Sequence, residues 1–164
     1  MRDEVRRKKK NKYKAKKVEF GGLVFDSMAE FEYYKILVQK QDAGIIRDFE
    51  LQPKFELLPA FESHGKKFEA ITYTADFKII HPNGKIEIID IKGMEPRDFP
   101  LRKKMFNYNN PELILLVLAE CPNIYAEHAI DPGFIEMDKL KSLRAAVKRK
   151  RTAEAKKAER GNAE

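Results

Sequence analysis

The sequence of 164 residues has one cysteine, no tryptophan and no long hydrophobic run. A single cysteine, Cys121, excludes a disulfide framework and a thiolate metal cluster, and it is typical of a reducing compartment. The longest apolar run, residues 113–119, is too short to cross a bilayer, and no apolar region follows the charged N-terminus as in a secretory signal. We therefore expect a cytoplasmic protein without membrane contacts.

Histidine and glycine-rich motifs are also scarce. The three histidines, His64, His81 and His128, are far apart in the sequence and lack the spacing of a zinc site or an HNH nuclease. Neither Gly21-Gly22 nor Gly44 has the context of a phosphate-binding loop. Zinc-dependent and P-loop chemistry are thereby disfavoured.

Charge is abundant and unevenly distributed. Residues 1–17 carry ten Lys or Arg against two acids, for +8, and residues 141–164 carry nine against three, for +6. Residues 18–140 carry 14 basic and 21 acidic side chains, for −7. An acidic body between basic ends is suited to holding a cation while contacting a polyanion. Solvated tails are the alternative explanation of the two ends.

The apolar pattern predicts a single α/β domain (an α+β mixed sheet) over residues 18–140, between a disordered basic arm, 1–17, and a basic C-terminal helix or tail, 141–164. A strand, a crossing helix and a second buried strand near its end indicate a parallel pair within a mixed sheet of about five strands. The first predicted elements are a hairpin over 18–25 and a helix that is capped by Asp26 or Ser27 and ended by Gly44. A strand over 49–58 follows, which Pro53 makes an edge strand or a bulge, and then a loop over 61–67. The remaining elements are a strand over 68–80, a turn at 81–84, a strand over 85–91, a helix over 100–109, a strand over 112–119 and a helix from 138 to about 150.

The strand that ends at Ile91 carries an unusual pair. Asp90 and Lys92 are two residues apart, so their side chains point to the same face, just before Gly93. A turn centred on Asn83–Gly84 would place Asp76, in the partner strand, opposite about Ile91. Asp76 and Asp90 would then lie within roughly 5–8 Å of each other. Two acids at that distance repel each other unless a cation lies between them.

The acids predict a site for Mg²⁺ or Mn²⁺, which bind oxygen ligands. We expect Asp76, Asp90 and the backbone carbonyl of Ile91 to bind the metal, with Glu30 as a further ligand, directly or through a water. Lys92 would orient the attacking water or stabilise the charge on a phosphorane. Each residue has a structural alternative: Glu30 completes a capping box with Ser27, Asp76 is an ordinary strand acid, and Asp90–Lys92 is a surface ion pair.

In this order and on these elements, Glu30, Asp76 and Asp90-x-Lys92 resemble the PD-(D/E)xK nuclease superfamily, which has the restriction-endonuclease-like fold. The resemblance implies a helix glutamate, an aspartate at a hairpin, Asp/Glu-x-Lys on the next strand, and then a crossover helix and a further strand. Ala75 stands where the name-giving proline would be.

A closer resemblance covers roughly residues 14–118. Four segments are similar to segments of a family of small phage and prophage endonucleases. They are Val18-x-Phe20-x-Gly22-x-x-Phe25-Asp26-Ser27, Leu51-Gln52-Pro53-Lys54-Phe55, Thr72-Tyr73-Thr74-Ala75-Asp76-Phe77 and Asp90-Ile91-Lys92-Gly93. That family is related to Holliday-junction resolvases and to the TnsA transposase nuclease. The resemblance implies metal-dependent cleavage or nicking of DNA in phage replication, recombination or packaging, in the host cytoplasm.

DNA is the expected partner, and a homodimer is one expected state of assembly. The resemblance implies that a basic residue on the helix after Lys92, either Lys103 or Lys104, assists catalysis, and that Gln52 contacts the substrate at the edge of the site. The alternative function is a non-catalytic DNA-binding or phage assembly protein with the same fold. Basic residues of the N-terminal arm would hold phosphates, namely Lys8, Lys9, Lys10, Lys12 and Lys14, with Arg144 to Arg151 as a second candidate surface.

Overall fold

The computed structural model describes residues 17–161, with side chains as far as residue 155. The predicted basic arm up to residue 16, including Lys8, Lys9, Lys10, Lys12 and Lys14, lies outside the described residues. The strands are β1 (Val18–Phe20), β2 (Leu23–Phe25), β3 (Asp48–Leu51), β4 (Lys54–Leu58), β5 (Phe61–Ser63), β6 (Lys66–Phe68), β7 (Ile71–Thr74), β8 (Phe77–Ile80), β9 (Ile86–Ile91), β10 (Ile114–Glu120) and β11 (Phe134–Glu136), and the helices are α1 (Met28–Asp42), α2 (Phe99–Asn109) and α3 (Met137–Gly161), with a 3-10 helix at Asn123–His128.

Five strands form a central mixed sheet in the order β11-β10-β9-β8-β3. Strands β9 and β10 are parallel and are joined through α2, whereas the other neighbours are antiparallel. The predicted α/β class, with a mixed sheet of about five strands flanked by helices, is confirmed. Strand β11, which pairs with the end of β10, was not predicted because it has only three residues.

The alternation of side chains along β9 and β10 explains why both strands are almost entirely apolar. Ile88 and Val117 face α2 and α3, where they pack with Phe106 and other buried side chains. Ile89 and Leu118 face α1 on the opposite side of the sheet. Each such aliphatic side chain contributes about 1.5–3 kcal/mol when it is fully buried. The sheet is therefore covered on both faces, which confirms the interpretation of the apolar run in β10.

The predicted hairpin of β8 and β9 is present, but its register differs by one residue from the expectation. The loop closes between Ile80 and Ile86, so its centre lies at Asn83 and not between Asn83 and Gly84. Phe77 consequently pairs with Ile89. The same register places Asp76 level with Asp90 and not with Ile91.

Two predicted strands are broken at the same place. The single strand expected over 68–80 is wrong, because β7 ends at Thr74 and β8 begins at Phe77, and the strand expected over 49–58 divides at Gln52–Pro53. The two breaks face each other: the Gln52 N–H donates to the Asp76 carbonyl at 2.9 Å, and the Ala75 N–H donates to the Pro53 carbonyl at 3.1 Å. Strands β3 and β8 belong to the central sheet, whereas β4 and β7 form a separate pair that contacts α2.

The loop expected over 61–67 is a hairpin instead. Strands β5 and β6 pair across His64–Gly65, where positive φ angles of 49° and 70° make the tight turn. The rings of Phe61 and Phe68 stack across the two strands at 4.7 Å. The hairpin was not predicted because Phe61 and Phe68 lie among polar residues, which hide the alternation of apolar and polar side chains.

The helices begin close to the predicted positions. The hydroxyl of Ser27 accepts from the Glu30 N–H and so caps α1, and Gly44 follows the helix with a positive φ of 69°. Helix α3 has 25 residues, is longer than predicted and runs across the expected boundary at residue 141. Among the residues that the structure describes, no helix is both long enough and apolar enough to span a membrane.

Candidate active site

Asp76 and Asp90 lie side by side at one end of the β8–β9 hairpin. Asp90 is the penultimate residue of β9, and Asp76 occupies the break just before β8. The Asp76 N–H donates to the Ile89 carbonyl at 3.0 Å, and the Asp76 Oδ2 accepts from the Ile91 N–H at 2.6 Å. These two hydrogen bonds hold Asp76 against the strand that carries Asp90. The structure thus brings the two predicted acids together.

Asp90 is the one charged side chain that is buried within the described part of the chain, and it is 2% exposed. Burying a carboxylate is costly unless it is paired and hydrogen-bonded. Lys92 supplies the charge, with its Nζ 2.9 Å from the Asp90 Oδ2. The hydroxyl of Tyr73, on β7, donates a hydrogen bond to the same oxygen. Asp90–Lys92 is therefore not a surface ion pair.

Lys92 is placed by the residues that follow it. Its Nζ lies over the ring of Phe99 at 4.8 Å from the centroid, a cation–π arrangement. Phe99 begins α2 and is buried, so the helix that crosses from β9 to β10 also provides one wall of the lysine's environment. The Lys92 side chain keeps 21% exposure, so part of it reaches solvent.

The electrostatics of Asp76 differ from those of an ordinary strand acid. Burial, and then the negative charges of Asp90 and Glu30, raise the pKa of Asp76 to about 8. The hydrogen bond from the Ile91 N–H and the charge of Lys92 act in the opposite direction but do not compensate. Three acids thus share one lysine, and full ionisation of the acids would leave the site with an excess of negative charge.

Glu30 lies beside these acids and is at the same time part of the cap of α1. Its Oε1 accepts from the Ser27 hydroxyl at 2.8 Å, and its Oε2 accepts from the Asp26 N–H at 2.9 Å. Burial is the main cause of a raised pKa of Glu30, with the charges of Asp26 and Asp90 adding to it against both hydrogen bonds. The predicted capping box is present, so both carboxylate oxygens of Glu30 already accept a hydrogen bond at the start of α1.

A pocket of about 240 Å³ opens from Glu30 and Asp76 toward the β1–β2 hairpin. Gln52 lines it together with Glu30 and Asp76, so the structure places Gln52 at the edge of the acid cluster. Gln52 has a φ of +51°, which is uncommon for a residue other than glycine and lies outside any hairpin turn. The rest of the pocket is lined by Gly22, Leu23, Val24, Phe25, Leu51 and Phe77.

The two lysines expected to assist from α2 are not gathered at the acids. Lys103 forms an ion pair with Asp138 of α3, with a distance of 3.2 Å between Nζ and Oδ2, and Lys104 is exposed. The neighbouring Arg102 instead joins α2 to β7, because its guanidinium donates to the Thr72 carbonyl at 3.0 Å. From the first turn of α2, Phe99 contacts the site through Lys92.

Comparison with known protein families matches residues 10–126 to a family described as a protein of unknown function, DUF1064. The match covers more than half of the chain. The chain belongs to the DUF1064 family. The matched region includes all four predicted catalytic residues, Glu30, Asp76, Asp90 and Lys92, and ends before β11 and α3. Neither the curated proteins nor the solved structures contain a match to the chain.

The donors in this DUF1064 chain are chemically suited to a hard divalent cation. Asp76 and Asp90 supply carboxylate oxygens, and the Ile91 carbonyl lies on the same edge of β9 as the N–H that binds Asp76. The negative charge shared by the acids is what a cation would neutralise. Within residues 17–161 no group of three or more His, Cys, Asp or Glu side chains has the arrangement of a metal site, so the fit rests on two carboxylates and a carbonyl.

Tyr73 is a residue of the site that the sequence analysis did not identify. Its ring does pack with Phe106 at 5.7 Å, yet its hydroxyl reaches Asp90. Burial and the charge of Asp90 raise the pKa of Tyr73, so the hydroxyl stays protonated and remains a donor. A signal was available, because a buried tyrosine normally finds a hydrogen-bond partner and Asp90 is an acid on an apolar strand close by in the sequence.

Proposed function

We propose that this protein is a Mg²⁺- or Mn²⁺-dependent DNA endonuclease that hydrolyses phosphodiester bonds. The observation that carries the proposal is the convergence of Asp76, Asp90 and Lys92 at one end of the hairpin, with Asp90 buried and a lysine as its counter-ion. Asp76, Asp90 and the Ile91 carbonyl would hold the metal. When bound, the metal supplies a water of lowered pKa and neutralises charge on a phosphate oxygen.

Lys92 is the residue of this chain suited to act on the nucleophile or on the developing phosphate charge. Its ammonium is a mobile point charge with three donors, and it lies 2.9 Å from Asp90. Phe99 limits where the ammonium can move, and the 21% exposure of the side chain opens it toward substrate. Preorganised donors of this kind contribute most to the stabilisation of charge in a transition state.

Glu30 would act through a water and not as a direct ligand. Both of its carboxylate oxygens accept hydrogen bonds from the helix cap, and each oxygen retains capacity for a further bond from a water. In this role Glu30 adds negative charge beside Asp76 and orients a water, while the cap keeps its rotamer fixed.

The binding of DNA falls to the basic ends, because the body of the protein is acidic. Phosphate contacts would come from the N-terminal lysines and from exposed cations of α3, among them Arg144, Lys148 and Arg151. Contacts of this type position a protein on the backbone without reading sequence. Deletion of residues 1–17 should reduce the dependence of DNA affinity on salt, and an unchanged salt slope would exclude phosphate contacts by the arm.

Cleavage of supercoiled plasmid tests the proposal. Wild-type protein should convert the plasmid to nicked or linear DNA with Mg²⁺ or Mn²⁺ and should lose this activity with a chelator. Asp90→Ala should be inactive. Glu87→Gln is the matched control, since Glu87 lies on the same strand but pairs with His81 and Lys85 at the other end. Cleavage by Asp90→Ala, or cleavage in chelator, would contradict the proposal.

A non-catalytic DNA-binding protein is the second candidate, and one observation favours it. Glu30 is occupied by the helix cap and Asp90 is paired with Lys92, so two of the three acids already have partners. The same experiment separates the two functions. Metal-independent DNA binding by the wild type and Asp90→Ala, with plasmid left intact under every metal condition, would establish the binding protein.

A further inference from the structure

Tyr73 and Asp90 form a buried contact that lies just behind the candidate active site. Tyr73 is 6% exposed and Asp90 is 2% exposed, and the phenolic hydroxyl donates to the Asp90 Oδ2. Lys92 reaches that same Oδ2. Both partners of this carboxylate therefore converge on one of its two oxygens.

The other oxygen of Asp90 is directed elsewhere. Among the described residues, the Asp90 Oδ1 receives no hydrogen bond, and no fully buried side-chain oxygen lacks a partner. The Oδ1 atom must therefore reach solvent, although the residue as a whole is buried. A carboxylate whose Oδ2 is held from behind presents its Oδ1 in one fixed direction.

The position of Tyr73 is itself set by helix α2. Its ring packs against Phe99 at 6.3 Å and against Phe106 at 5.7 Å between ring centroids. The Arg102 guanidinium donates to the carbonyl of Thr72, the residue before Tyr73. The hydroxyl is thus held by the same helix that contacts Lys92 through Phe99. Helix α2 therefore supports both residues that contact Asp90, namely Tyr73 and Lys92.

We propose that Tyr73 is a positioning residue of the metal site: its hydroxyl holds Oδ2 of Asp90 so that Oδ1 faces the cation. The hydrogen bond also keeps Asp90 satisfied when Lys92 turns from the carboxylate toward the substrate. This inference rests on the proposed function for the identity of the cation, but it assigns a role to Tyr73 that can be measured without DNA. Hydrogen bonds to metal-ligating carboxylates commonly affect affinity by about 10–100-fold.

Binding of Mn²⁺ to the full-length protein, followed by the electron paramagnetic resonance of the free ion, is the test. Tyr73→Phe keeps the ring that packs on α2 and removes only the hydroxyl. Tyr33→Phe is the matched control, because Tyr33 is also buried and its hydroxyl donates to Asp131 at 2.8 Å, away from the acids of the site. Tyr73→Phe should weaken Mn²⁺ binding by about 10-fold or more, whereas Tyr33→Phe should bind like the wild type.

The stabilisation of each protein by saturating Mn²⁺ in a thermal melt provides the second measurement. Tyr73→Phe should show a smaller increase in Tm than the wild type at the same Mn²⁺ concentration, and this difference is independent of any loss of stability without metal. Equal Mn²⁺ affinity in Tyr73→Phe and wild type would overturn the inference, as would a wild type that binds no Mn²⁺. Weakened binding in Tyr73→Phe together with a wild type that leaves plasmid intact would uphold the role of Tyr73 and overturn the nuclease.

Discussion

Two Tyr–Asp–Lys groups of identical composition lie on opposite faces of the central sheet. On the α1 face, Tyr33 donates to the Oδ2 of Asp131, and Lys40 pairs with the Oδ1 of the same carboxylate. On the α2 face, Tyr73 and Lys92 both contact the Oδ2 of Asp90. The first group uses both oxygens of its acid, whereas the second leaves one oxygen facing solvent.

The surroundings of the two groups also differ. Asp76 and Glu30 stand beside Asp90, and burial, followed by the negative charge of Asp90 and of other acids, raises the pKa of both. For Asp131 the tyrosine and the lysine each contact one carboxylate oxygen. A Tyr–Asp–Lys contact is therefore not in itself a sign of function. What distinguishes the candidate site is that its acids outnumber its one lysine and that an oxygen of Asp90 remains available.

The largest difference is expected when the lysine of each group is replaced. Lys92→Met should lower the plasmid cleavage rate by about 10²–10³-fold, the usual effect of removing one preorganised donor from a transition state. Lys40→Met should leave the rate unchanged and destabilise the protein by about 1–3 kcal/mol, because Asp131 loses a partner. Single-turnover cleavage and urea unfolding measure the two effects. Equal loss of cleavage in both variants would remove the distinction between the groups.

A divalent cation should stabilise the protein only through the group that contains Asp90, where the acids outnumber the lysine. At 100 times its dissociation constant, Mn²⁺ should stabilise the wild type by about 2.7 kcal/mol, seen as an increase in Tm. Asp131→Asn should retain this increase, and Asp90→Asn should lose it. Differential scanning fluorimetry with and without chelator gives the comparison, and an increase in Asp90→Asn equal to that of the wild type would place the metal elsewhere.

The pH dependence of stability without metal should differ between Asp76→Asn and the wild type. The pKa of Asp76 is raised to about 8 in the folded protein from an unfolded value near 3.8. Its contribution to stability is therefore complete below the unfolded pKa and is lost as the pH rises through the folded pKa. Urea midpoints in chelator should fall for the wild type as the pH approaches about 8. The decline should be shallower in Asp76→Asn, and parallel curves would show that Asp76 does not titrate as inferred.

The smallest expected effect concerns the backbone at the edge of the pocket. Gln52 has a φ of +51°, where a side chain is strained by about 1–2 kcal/mol and glycine is not. Gln52→Gly should consequently be more stable than Gln52→Ala by about 1 kcal/mol, the reverse of the usual order in extended structure. Thermal melts of the two variants measure this difference. A more stable alanine variant would show that the backbone at Gln52 is relaxed.

Much of the fold followed from apolar periodicity. The β8–β9 hairpin, the helix α1 with its Ser27 cap and the strand–helix–strand unit around α2 are confirmed, since each is dominated by local pattern and turn chemistry. The breaks at Gln52–Pro53 and Ala75–Asp76 were not predicted as a pair, because they arise from an exchange of strand partners that involves residues far apart in the sequence.

The candidate site was predicted in its members but not in its contacts. Asp76, Asp90, Lys92 and Glu30 are where the spacing indicated, apart from the one-residue register difference. The roles of Tyr73 and Phe99 depend on how α2 packs beneath the sheet, and this packing has no sequence periodicity of its own. The partner of Lys103 could not be foreseen either, because Asp138 belongs to α3 and lies 35 residues away.

Cleavage of supercoiled plasmid by wild type and Asp76→Asn, in Mn²⁺ and in chelator, tests the central claim most directly. Asp76→Asn keeps the size of the side chain, the buried Asp90 and its lysine, and removes the carboxylate that would bind the metal beside Asp90. We predict metal-dependent cleavage by the wild type and none by Asp76→Asn, with equal DNA affinity. Cleavage by Asp76→Asn at the wild-type rate, or cleavage by either protein in chelator, would contradict the account.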